Sequence, residues 1–244
     1  MYAGERGFSN TPLRVGLRGV SRDAERVGQT YALRVAANRI LSSERGCEER
    51  EAIVARLRTF IAIDVDRTIR DRCLALQESL ARSGAELKWV EAENIHLTLL
   101  FLGEVEDRTL AALCRAVAEG CASHRPFSMS VESVGCFPNP RRPRIVWVGV
   151  GSGAGEVMAL HDALEPPLLE LGCYRREQRA YSPHITLGRI KGEEPSDDLA
   201  TALAKQAKWR GGETMVREVQ VLSSELTSRG PIHTVLSRAK LGAR

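Results

Sequence analysis

Two short stretches constrain this chain more than anything else in it: "NIHLTLLFLGE" at residues 94–104 and "SPHITLGRI" at 182–190. Each sets a histidine and a threonine two positions apart in an apolar, strand-like run. Side chains alternate faces along a strand. In the first stretch Ile95, Leu97, Leu99 and Phe101 take one face, and His96, Thr98 and Leu100 the other. In the second, Ile185 and Leu187 turn inward, His184 and Thr186 share the opposite face, and Gly188 leaves space over it. One such strand reads as a satisfied, half-buried histidine beside a β-favouring threonine. Two copies in matching contexts are hard to obtain by packing alone.

The contexts do match. From residue 58, "LRTFIAIDV" is a β-rich run, followed by an amphipathic helix in "DRTIRDRCLALQESLARSG" that ends at Gly84. "ELKWVEAENIHLTLLFLGEV" reads as two strands with a turn at 92–94, and "EDRTLAALCRAVAEGCAS" as a second helix. "PFSMSVESVGCFPNP" and "RPRIVWVGV" form a hairpin. A helix in "GAGEVMALHDALEPPLLELG", broken at Pro166 and Pro167, opens the second half. The strand of His184, a helix in "SDDLATALAKQAKW" and two closing strands, "MVREVQVLSSELT" and "IHTVLSRAKL", complete it. This order predicts an α+β fold: a bilobal duplicated unit with two antiparallel sheets facing a central cleft and helices on the outside.

Residues 1–57 differ from that text. They are arginine-rich, lack lysine and show no clean strand pattern, so they read as a flexible or partly helical extension, with helical stretches at 23–41 and 43–58. The acidic residues at 44, 48, 49 and 51 argue against a transit peptide, and no secretory leader is evident. The functional domain is expected over 58–244. The apolar runs are strand-length, too short to cross a bilayer. Six cysteines without a CxxC pair suit reduced thiols in the cytoplasm, and a formal net charge of +4 suits a polyanionic substrate only weakly.

Two imidazoles and two hydroxyls on one site have a definite use. Histidine titrates near neutrality, so one ring can accept a proton while the other donates one. The hydroxyls can hold non-bridging phosphate oxygens as charge builds. Phosphodiester cleavage or cyclic-phosphate opening fits, with water as the nucleophile. The residues alone do not say which histidine is acid and which is base. A metal site is the rival, but neither copy has carboxylate or cysteine neighbours, and HExxH is absent. No metal and no cofactor are therefore expected.

"WVEAENIHLTLLFLGEV", "FPNPRRPRIVWVGV" and "SPHITLGRI" resemble the LigT-like RNA 2′,3′-cyclic phosphodiesterases (the ThpR family) of the two-histidine phosphoesterase superfamily. The resemblance runs from about residue 58 to the end and leaves residues 1–57 without a counterpart. It implies metal-independent hydrolysis of a ribose 2′,3′-cyclic phosphate to a 2′-phosphomonoester. By motif position it implies His96 as proton donor to the departing 3′ oxygen and His184 as the base that activates water. Thr98 and Thr186 become the phosphate-holding hydroxyls. The implied partner is RNA with a 2′,3′-cyclic phosphate end, tRNA fragments among them, acted on by a monomer away from any membrane. Weak reverse ligation of RNA ends, as in some relatives, is part of the same picture. Two alternatives stand beside it: a module that binds RNA ends or nucleotides without turnover, and a phosphodiesterase acting on small cyclic nucleotides or an ADP-ribose cyclic phosphate.

Among the other residues, Arg141, Arg142 and Arg144 are placed to contact RNA phosphates or to form a solvated loop. Tyr181 and Trp89 read as core or rim residues before base-stacking ones. His124 and His161 lack a threonine partner. In "IHTV", Thr234 directly follows His233, so its hydroxyl points to the opposite face; all three histidines read as structural or surface residues.

Overall fold

A computed structural model describes residues 55–191, 197–228 and 230–242. The extension, and the helices expected within it, lie outside the described residues except at its last three positions. Strand β1 begins there, at Arg56, two residues ahead of the expected domain start.

The first half of the chain follows the periodicities. After β1 (Arg56–Asp64), Asp66 accepts a hydrogen bond from the Ile69 amide at 3.0 Å and starts helix α1 (Arg67–Ala81). Ile69, Cys73, Leu76 and Leu80 form its buried row. The short β2 (Leu87–Trp89), a 3-10 turn at Ala92–Asn94 and β3 (His96–Glu106) follow. Helix α2 (Asp107–Ala122) buries Leu110, Leu113, Val117 and Cys121. β4 (Phe127–Phe137) and β5 (Ile145–Val150) form the expected hairpin.

Helix α3 (Ala154–Glu170) differs from expectation: it runs straight through Pro166–Pro167. Prolines lack the N–H that would bond four residues back. The apolar row of Val157, Leu160, Leu164 and Leu168, fully buried on both sides of the prolines, holds the helix across the gap. β6 (His184–Ile190) and α4 (Asp197–Lys205) come next. The chain closes on three strands rather than two: β7 (Arg210–Val216), β8 (Glu218–Thr227) and β9 (Gly230–Lys240). Gly211 and Gly212 dilute the β signal of β7, which is why only its end is legible in the sequence.

The strands form one antiparallel sheet in the order β7-β4-β5-β6-β3-β1-β8-β9, with β2 also paired to β6. The expectation of two separate sheets is thus corrected. β3 and β6 join the two groups edge to edge through the pair Leu97↔Ile185. One face carries Ile61, Ile63, Leu97, Val146, Val148, Ile185, Leu187, Val219 and Val221, each no more than 1% exposed. Helix α1 packs against β7 and β6, and α2 against β9, β8 and β3; α3 packs against α2 and β3. The other face carries a small cluster of Phe60, Ala62 and Leu222, with Val235 against it. Among the described residues no helix is long and apolar enough to cross a membrane.

Candidate functional site

The central pair of the sheet fixes the site. Leu97 and Ile185 are antiparallel partners and fully buried, so their neighbours turn to the opposite face. Those neighbours are His96 and Thr98 on β3, and His184 and Thr186 on β6. The four residues singled out by sequence therefore flank one register point on one face of the sheet. Each histidine is also anchored two residues back. His184 Nδ1 lies 2.7 Å from the Ser182 carbonyl oxygen, and His96 is hydrogen-bonded to the Asn94 backbone. A ring that donates Nδ1–H to a carbonyl leaves Nε2 as its working nitrogen.

The His96 ring stands in an enclosed, aromatic setting. It stacks on Phe60 at 5.0 Å, and its Nε2 lies 3.1 Å from Thr98 Oγ1. His233 of β9 meets it edge-on at 5.4 Å and also meets Phe60 at 4.8 Å. Burial, then the neighbouring His233, and more weakly Arg70, lower its pKa to about 4 against the opposing hydrogen bond to Asn94. His96 is therefore neutral in the free protein near pH 7.

The His184 side is more open. Phe137 meets its ring edge-on at 5.0 Å, and Trp147 lies at 6.3 Å. Gly135 makes room for Trp147: a Cβ there would sit 2.3 Å from the indole. Gly188, expected to leave space over the site, instead receives Trp89, whose ring would lie 2.9 Å from a Cβ. Trp89 is thus packing against the sheet, in keeping with a rim residue.

Strand alternation breaks down past the motifs, and the reason is the same in both. β3 bulges at Leu99, between the partners of Ile61 and Ala62. β6 bulges at Leu187, between the partners of Val146 and Trp147. Each bulge reverses the alternation. Leu99 and Leu100 are both buried, and Phe101, expected in the core, is 53% exposed. It pairs with Phe60 and packs on it at 6.0 Å, on the site face. Arg189 pairs with Ile145, whose other partner Phe137 touches His184, so Arg189 also shares the site face. Both lie five residues after their histidine. The sequence signal for them is that shared spacing, which becomes readable only once the bulges are seen.

His233 is the third residue that sequence reasoning leaves out. Thr234 does point away, as the alternation requires, and is exposed. The curl of the sheet nevertheless brings the β8–β9 hairpin over the site face, where Asn94 Nδ2 donates to the Pro231 carbonyl at 3.0 Å.

The remaining flagged residues take structural places. Tyr181 donates its hydroxyl to the Thr98 carbonyl at 2.8 Å and stacks on His161 at 4.2 Å. His161 Nδ1 in turn lies 2.9 Å from Asp162 Oδ1. His124 follows α2, its amide bonded to the Cys121 carbonyl. Arg141, Arg142 and Arg144 lie exposed in the β4–β5 loop, where the Asn139 side chain accepts from the amides of Arg141 and Arg142. Burial pushes the Cys73 and Cys121 thiols up to about 12, so neither is a nucleophile. Among the described residues no three His, Cys, Asp or Glu side chains gather as a metal site.

Residues 63–147 match the model of the LigT like Phosphoesterase family. An RNA 2′,3′-cyclic phosphodiesterase of Methanothermobacter thermautotrophicus is 36% identical over 179 residues, covering 73% of this chain and 96% of the relative. One of Archaeoglobus fulgidus is 38% identical over 177 residues, covering 72% and 96%. Among solved structures, TT0787 of Thermus thermophilus superposes with a TM-score of 0.66 at 26% identity, covering 77% of this chain and 100% of that one. Escherichia coli LigT in apo form gives 0.61 at 24% identity, covering 78% and 99%, a likeness of fold. Two matched His-x-Thr strands, one register point and these relatives lead to one assignment: the chain belongs to the LigT-like phosphoesterase family.

Proposed function

We propose that the protein is an RNA 2′,3′-cyclic phosphodiesterase that opens the cyclic phosphate to a 2′-phosphomonoester with its own side chains. The observation that carries this reading is the gathering of two imidazoles and two threonine hydroxyls around Leu97↔Ile185. Water attacks phosphorus in line with O3′. His184, its Nδ1 held by Ser182, takes the water's proton at Nε2, and the new P–O bond forms. The P–O3′ bond breaks as His96 delivers a proton to O3′. Thr98 and Thr186 donate to the non-bridging oxygens, and Arg189 on the same face offsets their charge. Both rings then exchange protons with solvent and reset.

The donor role asks something of His96, which is neutral in the free protein. The anionic phosphate supplies the missing countercharge and raises the proton affinity of the ring beside it. A second reading rests on the same observation. A ring held neutral by burial is a ready base, which would make His96 the acceptor and His184 the donor.

The two halves of the sheet are read as copies of one unit. In support, three strands extend outward from each motif strand: β1, β8 and β9 from β3, and β5, β4 and β7 from β6. The expected substrate is the end of an RNA, tRNA fragments included, with the protein acting as a monomer in the cytoplasm. The five unpaired thiols among the described residues suit that compartment.

Incubation of the purified protein with RNA bearing a 2′,3′-cyclic phosphate end, and with 2′,3′-cyclic nucleotides, tests the reading. Hydrolysis to 2′-phosphate, undiminished by EDTA, is expected. Binding without turnover of any of them would make the protein a binding module, and loss with EDTA alone would require a metal.

A further inference from the structure

The two motif strands are matched residue for residue at the histidine, the threonine and the backbone anchor, but only one catalytic ring has a third imidazole against it. We propose that His233 is a positioning residue for His96. Carried in on the β8–β9 hairpin, it closes with Phe60 on the His96 ring and holds Nε2 toward Thr98 and the substrate. This deepens the acid–base reading above and rests on it for its kinetic consequence.

Three observations point the same way. His233 touches both members of the stack, Phe60 at 4.8 Å and His96 at 5.4 Å, so the three rings form one cluster. The hairpin that carries it is tied down beside His96: Asn94 donates to Pro231 at 3.0 Å, and the same Asn94 contributes the backbone anchor of the His96 ring. One short segment thereby fixes both the catalytic ring and the strand that brings its neighbour. Val235, two residues along the same face, packs against Phe60, Ala62 and Leu222, so the approach of β9 is built into the packing of this face. The rings of Phe60 and His96 are thus the partners that define where the His233 imidazole sits.

Among the described residues, the charged and titratable groups facing His96 are few. His233 approaches from β9 and Arg70 from α1, the latter ion-paired to Asp64 of β1, which is the strand partner of His96. His233 and Arg70 both resist a second positive charge on the ring. Removing the titratable group at 233 relieves one of them, and the His96 midpoint should rise.

Three variants and two readouts separate the outcomes. In His233→Asn, the His96 ring followed by NMR titration in the substrate-free protein should have its midpoint raised by about half a pH unit or more. His233→Ala should lower kcat by about tenfold or more with KM within about twofold, because a loosened ring loses orientation rather than binding. His233→Phe keeps a ring in the cluster and should retain kcat within about threefold. Unmoved His96 titration in His233→Asn with unchanged kcat in His233→Ala would overturn the proposal. So would equal damage in the Phe and Ala variants, which would assign the role to imidazole nitrogens touching substrate. Melting curves identify a variant that fails to fold, and the Phe and Asn variants keep the question decidable if the Ala variant does. The NMR readout needs no turnover: if the wild type hydrolyses nothing, the phosphodiesterase reading fails while a moved His96 midpoint still supports the seating of His233 against His96.

Discussion

The His96 and His184 sides of the site are built from the same local instructions and end in different surroundings. Both histidines are anchored two residues back, both precede a threonine on the same face, and both strands bulge three residues after the histidine. On the His96 side the neighbours are rings: Phe60 from the adjacent β1, His233 brought by the curl and Phe101 by the bulge. On the His184 side the bulge adds Arg189, and the neighbouring β4–β5 loop carries Arg141, Arg142 and Arg144. The lesson is that a repeated motif specifies placement, while the strands paired outward from it decide proton affinity and ligand preference. The His96 ring is enclosed and titrates low, whereas the His184 ring is more open, with Arg189 on the same face of the sheet.

The strongest attack on this comparison is to remove each ring. His96→Ala and His184→Ala should each lower kcat/KM by about 10²–10⁴, with melting temperatures close to wild type. Retention of near-normal rates in either variant would break the pairing of the two halves. The core pair beneath is the next largest effect. Leu97→Ala removes a fully buried side chain at the register pair that joins β3 to β6 and should cost about 2–5 kcal/mol in denaturant unfolding.

The difference in surroundings should also be visible in stability against pH. The folded-state pKa of His96, about 4, lies below its ordinary value of 6.5. Between those values the unfolded chain binds more protons than the folded one, so unfolding is favoured as pH falls. The stabilisation is complete above about pH 6.5 and is lost as pH drops toward 4, on the order of 3 kcal/mol. Urea midpoints at several pH values should therefore fall less steeply in His96→Gln than in wild type. Equal slopes would mean that the ring is not shielded as described.

The smallest expected effects probe ligand preference. Phe101→Ala should raise KM for RNA by about three- to tenfold with little change in kcat, as loss of one base-stacking platform does. Arg141→Ala should weaken RNA binding more at low salt than at high salt, since the residue is exposed and any phosphate contact is screened. A silent Phe101→Ala would remove the base-stacking role from the His96 side, and an Arg141→Ala effect independent of salt would remove the phosphate contact from the loop.

Much of the fold was legible because it follows two periods. Helical rows such as Ile69, Cys73, Leu76 and Leu80, and the alternation around His96 and His184, emerge where period counting puts them. What escaped has a common physical cause: an event that period counting does not contain. Bulges at Leu99 and Leu187 reverse the faces of Phe101 and Arg189. Pro166 and Pro167 are overridden by the buried row on both sides of them. His233 reaches His96 through the curl of the sheet, a long-range property to which no window of sequence around residue 233 gives access. The single sheet was hidden for the same reason, since Leu97↔Ile185 joins strands from different halves.

The proposed division of labour between the two imidazoles is tested most directly by a leaving group that needs no proton. In an RNA end whose 2′,3′-cyclic phosphate carries sulfur in place of the 3′ bridging oxygen, the P–S bond breaks and the 3′ sulfur leaves phosphorus as a thiolate without general-acid help. Hydrolysis of that substrate and its oxygen parent should be compared in wild type, His96→Ala and His184→Ala. Sulfur should restore His96→Ala to within about tenfold of wild type and leave His184→Ala inactive. Restoration of His184→Ala alone would select the reversed assignment. Restoration of both variants, or of neither, would contradict the claim that one ring donates and the other accepts.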